Sequence, residues 1–278
     1  MLDEFEKYLL QEGKAKNTIK SYMLHVGNYF KWFRDSFGED PLKLYRQNVL
    51  EYKSYLEKIK KENGNTINAK LAALTKFNDF LIYKNIQSES VLSKKDNIKI
   101  QMSYASPATI TKQDVEVFRQ RILQNECNRS YAVVTVLSYA GLRISECLNL
   151  KIDDVNLVSK ELIVREGKGS KQRIVYINTK IVDAIKEYLK ERKKVACEYM
   201  FVSNKGNRLD RTVVNKLFNK YSDKITPHTL RHFYCSNALE SGFSVHEVAN
   251  QAGHSNIHTT LLYTNPSKEE LKRKTELL

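Results

Sequence analysis

The sequence predicts a mainly α-helical chain in two domains, the second of which carries a small β-hairpin. Three observations lead there. Apolar residues recur at helical spacing through most of the chain, a polar stretch at 88–107 interrupts that periodicity, and one segment, 161–177, alternates as strands do. A length of 278 residues also fits two domains better than one or three.

Residues 1–87 are expected to form a four-helix module. Leu2, Phe5 and Leu9 mark a short first helix; Tyr22, Val26, Tyr29, Phe30 and Phe33 mark a longer one after a candidate cap at Asn17. Val49, Tyr52, Leu56 and Ile59 give a third, and Leu71, Leu74, Phe77 and Leu81 a fourth, separated by the turn-like run Glu62-Asn63-Gly64-Asn65. Residues 88–107, polar and bearing Lys and Ser, have the composition of a surface linker.

Residues 108–278 form the second expected domain. Thr111-Lys112-Gln113-Asp114 has the Thr-x-x-acid pattern of a helix start, and an apolar helix over 131–139 runs to Gly141. Residues 161–165 and 172–177 read as two strands around a Gly-rich turn with Lys168 at its tip. Helical patterns resume at 181–190 and 211–221, and Ser267 to Leu278 reads as a short amphipathic helix.

Charge narrows the partner. Lys and Arg number 46 against 32 Asp and Glu, a net charge of +14. Up to position 100 there are 18 basic and 13 acidic residues, and beyond it 28 and 19, so both halves are basic rather than one tail. Two basic globular halves suit a phosphate-bearing partner, although solvated lysine faces give a similar count. Cys127, Cys147, Cys197 and Cys235 lie 20, 50 and 38 residues apart, without the close pairs of zinc or dithiol sites, and read as reduced core thiols. No leader-like basic-then-apolar start and no 18-residue apolar run occurs, so a cytoplasmic protein without membrane contact is expected.

Five pieces carry possible chemistry. Arg143 and Glu146 stand at the start of a helix after Gly141; Lys168 lies between two glycines; His228 and Arg231 share a helix face after Pro227; His254 follows Gly253; and Tyr263 lies among leucines. Each has an ordinary reading when taken singly: a surface ion pair, a solvated turn lysine, a capped helix start, a core tyrosine. His232 is expected to point elsewhere on its helix in a structural role. The five occur in one order within one basic chain.

Together, Gly141-Leu-Arg-Ile-Ser-Glu, Gly167-Lys-Gly, His228-Thr-Leu-Arg-His, Gly253-His-Ser and Tyr263 closely resemble the tyrosine recombinase, or phage-integrase, family. The resemblance implies a C-shaped, two-domain DNA clamp, a SAM-like helical core-binding domain followed by a catalytic domain. It further implies that Arg143 and Arg231 grip the scissile phosphate, Tyr263 is the nucleophile, Lys168 protonates the leaving 5′ oxygen, His228 is the acid/base, His254 donates a hydrogen bond and Glu146 supports the pocket. Gln251-Ala252 and Cys235 depart from the usual pattern, where an apolar pair and a small residue are more common; this bears on local packing only.

The chemistry fits those residue types. Guanidinium forks hold charge on non-bridging phosphate oxygens, a phenol of pKa near 10 needs a base or a cationic field, and an alkoxide leaves only with a proton. A phosphotyrosyl link stores the bond energy, so no cofactor and no metal are expected. The implied partners are double-stranded DNA with an inverted-repeat core site, a homotetramer on synapsed DNA passing through a Holliday junction, and accessory DNA sites or proteins. Asn65, Asn68, Lys70, Arg208 and Arg211, near two helix starts, are candidate DNA contacts, with solvated surface an equal reading. The first helix begins almost at Met1, so no extra arm-site-binding domain is expected, which favours an Xer-like recombinase or a transposon-encoded resolvase. The rivals are a type IB topoisomerase-like relaxase and a non-catalytic DNA-binding regulator.

Overall fold

The computed structural model describes residues 1–100, 110–165, 172–192, 196–254, 258–261 and 275–276. The chain divides into two compact units, Met1–Met102 and Ser103–Leu278.

The first unit holds α1 (Leu2–Gln11), α2 (Lys16–Phe37), α3 (Arg46–Ser54) and α4 (Gly64–Tyr83). Its core is largely aromatic: Phe5 meets Phe77 edge-to-face at 5.1 Å, and Phe30 meets Phe77 at 5.5 Å. All four expected helices are present, with three local differences. Asn17 is not a cap, because α2 already begins at Lys16 with Ala15 in the capping position. The expected turn at 62–65 is the start of α4, since Asn63 Oδ1 accepts from Thr66 N at 2.9 Å. A π-helical turn over Tyr55–Ile59 widens the end of α3 and rotates Ile59 outward, leaving it 71% exposed.

The expected linker is shorter than its composition suggests. Asn78 Oδ1 accepts from Val91 N at 3.1 Å, Arg46 pairs with Asp96 at 2.8 Å, and Asn68 exchanges two hydrogen bonds with the Ile98 backbone, while Leu92 joins the core. Residues up to Ile98 are therefore held to the first unit. They are held mainly by polar groups, which is why a search for apolar periodicity passes over them.

The second unit is built around α6 (Asn128–Tyr139), in which every residue from Ala132 to Ser138 is buried. A helix apolar on all sides belongs in a core, and α5 (Lys112–Asn125), α8 (Thr179–Glu191) and α10 (Pro227–Glu240) pack around it. Thr111 caps α5 as expected, with Asp114 N donating to its Oγ1 at 3.1 Å and the Asp114 carboxylate accepting from Thr111 N at 2.8 Å. The short α7 (Ile144–Asn149) precedes an antiparallel sheet of β1 (Val155–Asn156), β2 (Glu161–Val164) and β3 (Arg173–Tyr176), in that order. Leu162 pairs with Val175 and Val164 with Arg173, so the two expected strands form, while the expected turn with Lys168 lies outside the described residues. Then come α9 (Arg211–Tyr221), α11 (Val245–Ala252), which packs on β3 and α10, and α12 (His258–Leu261). The expected final helix lies almost wholly outside the described residues.

Two of the four expected core thiols, Cys147 and Cys235, are buried; Cys127 is exposed, Cys197 is intermediate, and all four are free. No described helix is long and apolar enough to cross a membrane.

Candidate active site

Three helix ends and one strand converge in the second unit. The loop between α6 and α7 turns at Gly141, whose φ is +64° and whose missing Cβ would lie 2.4 Å from the Tyr234 ring of α10. Only glycine satisfies both conditions without strain. Its carbonyl oxygen accepts from Arg231 Nη1 at 2.6 Å, so the loop that presents Arg143 is held by the second arginine of the set.

Glu146 lies at the centre, only 2% exposed. Its Oε2 accepts from the backbone N of Arg143 at 2.8 Å, capping α7, and its Oε1 accepts from Arg143 Nη1 at 2.8 Å. Arg231 Nη1 approaches Oε2 at 3.9 Å. Burial opposes ionisation of Glu146, but hydrogen bonds from Arg173 and Arg143 outweigh it and hold the carboxyl below its ordinary range. Burial, then the charge of Arg143, lowers the Arg231 pKa; Arg231 Nη2 is buried and has no hydrogen-bond partner among the described residues.

The exit of α11 completes the cluster. Gly253, at φ +71°, ends the helix, and its carbonyl accepts from Arg143 Nη2 at 3.1 Å. His254 Nδ1 lies 2.6 Å from Thr260 Oγ1. Burial and the positive field of Arg231 and Arg143 lower its pKa to about 4, so the ring is neutral at pH 7.

The structure thus brings Arg143, Glu146, Arg231 and the Gly253-His254 turn together. Lys168 and Tyr263 lie outside the described residues. His228 is exposed on the first turn of α10, and His232, expected to point elsewhere, stands beside it with Nε2 atoms 2.7 Å apart. Their i,i+4 spacing was the available signal. Burial and His228 lower the His232 pKa.

Two residues at the site were not anticipated. Arg173 bonds both oxygens of Glu146 and the carbonyls of Gln251 and Ala252. Gln251 Oε1 accepts from Tyr176 N at 3.1 Å, so the unusual polar residue before Gly253 ties α11 to β3. The unusual Cys235 is fully buried, in contact with α11 residues Val248 and Ala252.

Two candidate DNA contacts need correction. Lys70 shares the buried face of α4 with Ile67, Leu71 and Leu74, and its ammonium is paired with Glu62 at 2.6 Å rather than offered to solvent. Asn68 is occupied by Ile98. Asn65 and Arg211 are exposed; Arg208 is exposed, bonds Asn149 and lies over the Tyr199 ring. Among the described residues no group of three or more His, Cys, Asp or Glu is arranged to hold a metal ion.

Comparison with known proteins identifies the family. Residues 109–270 match the phage integrase family and residues 2–85 the phage integrase N-terminal SAM-like domain. The chain is 53% identical over 279 residues to TnP I resolvase of Bacillus thuringiensis, covering 99% of this chain and 98% of that protein. It is 33% identical to tyrosine recombinase XerA of Pyrococcus horikoshii, covering 99% and 92%. The fold is similar to that of XerH recombinase bound to a palindromic difH substrate, with a TM-score of 0.76 at 20% identity over 99% of this chain and 84% of that one. It is likewise similar to the Tn1549 transposon integrase in complex with transposon right-end DNA, with a TM-score of 0.73 at 20% identity over 100% and 98%. Arginine cluster, two-unit organisation and similarity along the whole length lead to one assignment: this chain is a tyrosine recombinase of the phage integrase family.

Proposed function

We propose that the chain cuts and rejoins duplex DNA at a specific site through a 3′-phosphotyrosyl bond to Tyr263, exchanging strands by way of a Holliday junction. The observation that carries this reading is the cluster at Glu146. Three arginines meet one buried carboxylate, and Arg231 keeps a guanidinium nitrogen with no hydrogen-bond partner among the described residues. A phosphodiester supplies the anionic oxygens such donors lack, and its transition state spreads more charge over them. Arg143, one-third exposed, and Arg231 hold those oxygens; Glu146 aims both guanidiniums. His228 takes the phenolic proton, Lys168 gives one to the leaving 5′ oxygen, and neutral His254 donates a hydrogen bond. Nothing in this scheme consumes ATP or requires a metal.

The substrate we propose is an inverted-repeat core site, bound by both units and synapsed by a homotetramer, with accessory sites or proteins present in some settings. Asn65, Arg208 and Arg211 are the DNA contacts retained. The 53% identity to TnP I resolvase, against 33% to tyrosine recombinase XerA, supports a resolvase over an Xer-like recombinase.

The test is adduct trapping. On a nicked core site that releases a short 5′ fragment, wild type accumulates a denaturant-resistant protein–DNA adduct, and Tyr263→Phe binds the site without forming one. An adduct with the Phe variant moves the nucleophile elsewhere. Relaxation of supercoiled plasmid lacking any core site would favour a type IB relaxase instead.

A further inference from the structure

We propose that Arg173 is a positioning residue of the strand-exchange pocket: it occupies Glu146 and the end of α11 so that Arg143 and Arg231 stay turned to the scissile phosphate. This rests on the reading of the pocket given above.

Arg173 lies on β3 with its side chain on the same face as buried Val175, only 14% exposed. An arginine on the buried face of a strand must be paired, and this one is paired twice over. Toward α7, Nη1 and Nη2 donate to Glu146 Oε1 and Oε2 at 3.2 and 2.9 Å. Toward α11, Nε and Nη2 donate to the carbonyls of Gln251 and Ala252 at 3.1 and 3.2 Å, placing a cation at the negative end of that helix. The chain leaves α11 directly across this guanidinium: a Cβ at Gly253 would lie 2.6 Å from Arg173 Cζ. The next carbonyl, that of Gly253, is the one Arg143 holds. Strand, carboxylate and helix end therefore meet on one side chain.

The charge arrangement gives the device its use. Glu146 Oε2 accepts from Arg173 while Arg231 waits at 3.9 Å. Without Arg173 that oxygen keeps only the backbone N of Arg143, and Arg231 closes on its vacant side, turning toward Glu146 the guanidinium that would otherwise face a phosphate. The α11 exit loses two of its hydrogen bonds at the same time, and His254 moves with it. A lysine supplies the charge but not a planar fork that spans both elements.

The experiment compares wild type, Arg173→Lys, Arg173→Gln and the double variant Arg173→Gln/Glu146→Gln in the full-length protein. Affinity for the core site, single-turnover cleavage, and the His254 imidazole titration by NMR without DNA are measured on each. Affinity stays within about threefold, because many phosphate contacts share it. Cleavage falls on the order of 100-fold in Arg173→Gln, the loss expected of a misplaced pocket, and less in Arg173→Lys. The double variant cleaves faster than Arg173→Gln, since the carboxylate that captures Arg231 has lost its charge; a role in packing alone would make the two losses add. The His254 midpoint rises from about 4 in Arg173→Gln. Cleavage by Arg173→Gln within about threefold of wild type, or an unmoved His254 midpoint, overturns the proposal. If wild type itself forms no adduct, the phosphate-cutting reading fails, and the His254 titration alone decides the role of Arg173.

Discussion

Glu146 shows how a buried charge is retained in the candidate active site. A carboxylate this enclosed is held ionised by the guanidiniums and the Arg143 backbone N–H around it, and the guanidiniums in turn are aimed by it. Arg143→Ala and Arg231→Ala should each lower single-turnover cleavage on the order of 10²- to 10³-fold while retaining most of the DNA affinity. The pair should differ in folding: Arg143 is one-third exposed, whereas Arg231 is buried and bonded to Gly141, so only the second variant should also melt earlier, as calorimetry would register. Lys168→Ala should regain cleavage on DNA whose leaving 5′ oxygen is sulfur, because that group departs without a proton; no regain removes Lys168 from the general-acid role. His254 sets a pH dependence. Its folded pKa is near 4, below the ordinary imidazole value, so between roughly pH 6.5 and pH 4 the unfolded chain binds a proton that the folded chain refuses. The His254 contribution is fully present at neutral pH and is lost as pH falls through that window; denaturant melts of wild type and His254→Asn at pH 7 and pH 5 should show a shallower decline in the variant.

At the scale of elements, the site depends on how helices begin and end. Gly141 and Gly253 both have positive φ, and each would drive a Cβ into a neighbouring side chain, the Tyr234 ring and the Arg173 guanidinium. Gly242 has the same backbone requirement, at φ +93°, but open space around it. Gly242→Ala should therefore cost about 1 kcal/mol, the left-handed penalty alone. Gly141→Ala should cost clearly more, measured by denaturant midpoint, and should also impair cleavage, since Arg231 bonds the carbonyl of that residue. Equal costs at the two positions would show that the Tyr234 ring simply moves aside. The caps at Thr111 and the strand alternation were legible because their signals are local. The start of α4 at Asn63 and the π turn after Tyr55 were not, because an Asn-Gly run also suits a turn and a widened helix keeps the same residue types.

At the scale of the molecule, the two units have separate cores, one around Phe5, Phe30 and Phe77 and the other around α6. A fragment of residues 1–102 contains the whole first core and its docked segment through Ile98, so it should unfold cooperatively by circular dichroism, and Asp96→Ala should lower its midpoint by breaking the pair with Arg46. A fragment ending at residue 87, where apolar periodicity stops, should be less stable, because it lacks Leu92, Asp96 and the Ile98 backbone. Equal stability of the two fragments would restore the longer linker.

The sequence by itself determined the helical class, the two-unit organisation, the basic charge and the order of the motifs, because periodicity, composition and spacing are properties of a chain before it folds. Its family followed from the motifs. What only the tertiary structure decided is which charges meet. Lys70 reads from sequence as a basic residue near a helix start, and folding turns it inward to Glu62. Arg173 belongs to a strand that pairs with β2, yet its partners stand 27 residues before it and 79 residues after it. No local pattern encodes such a meeting; it exists only once α7, β3 and α11 pack together and a buried carboxylate must find its cations.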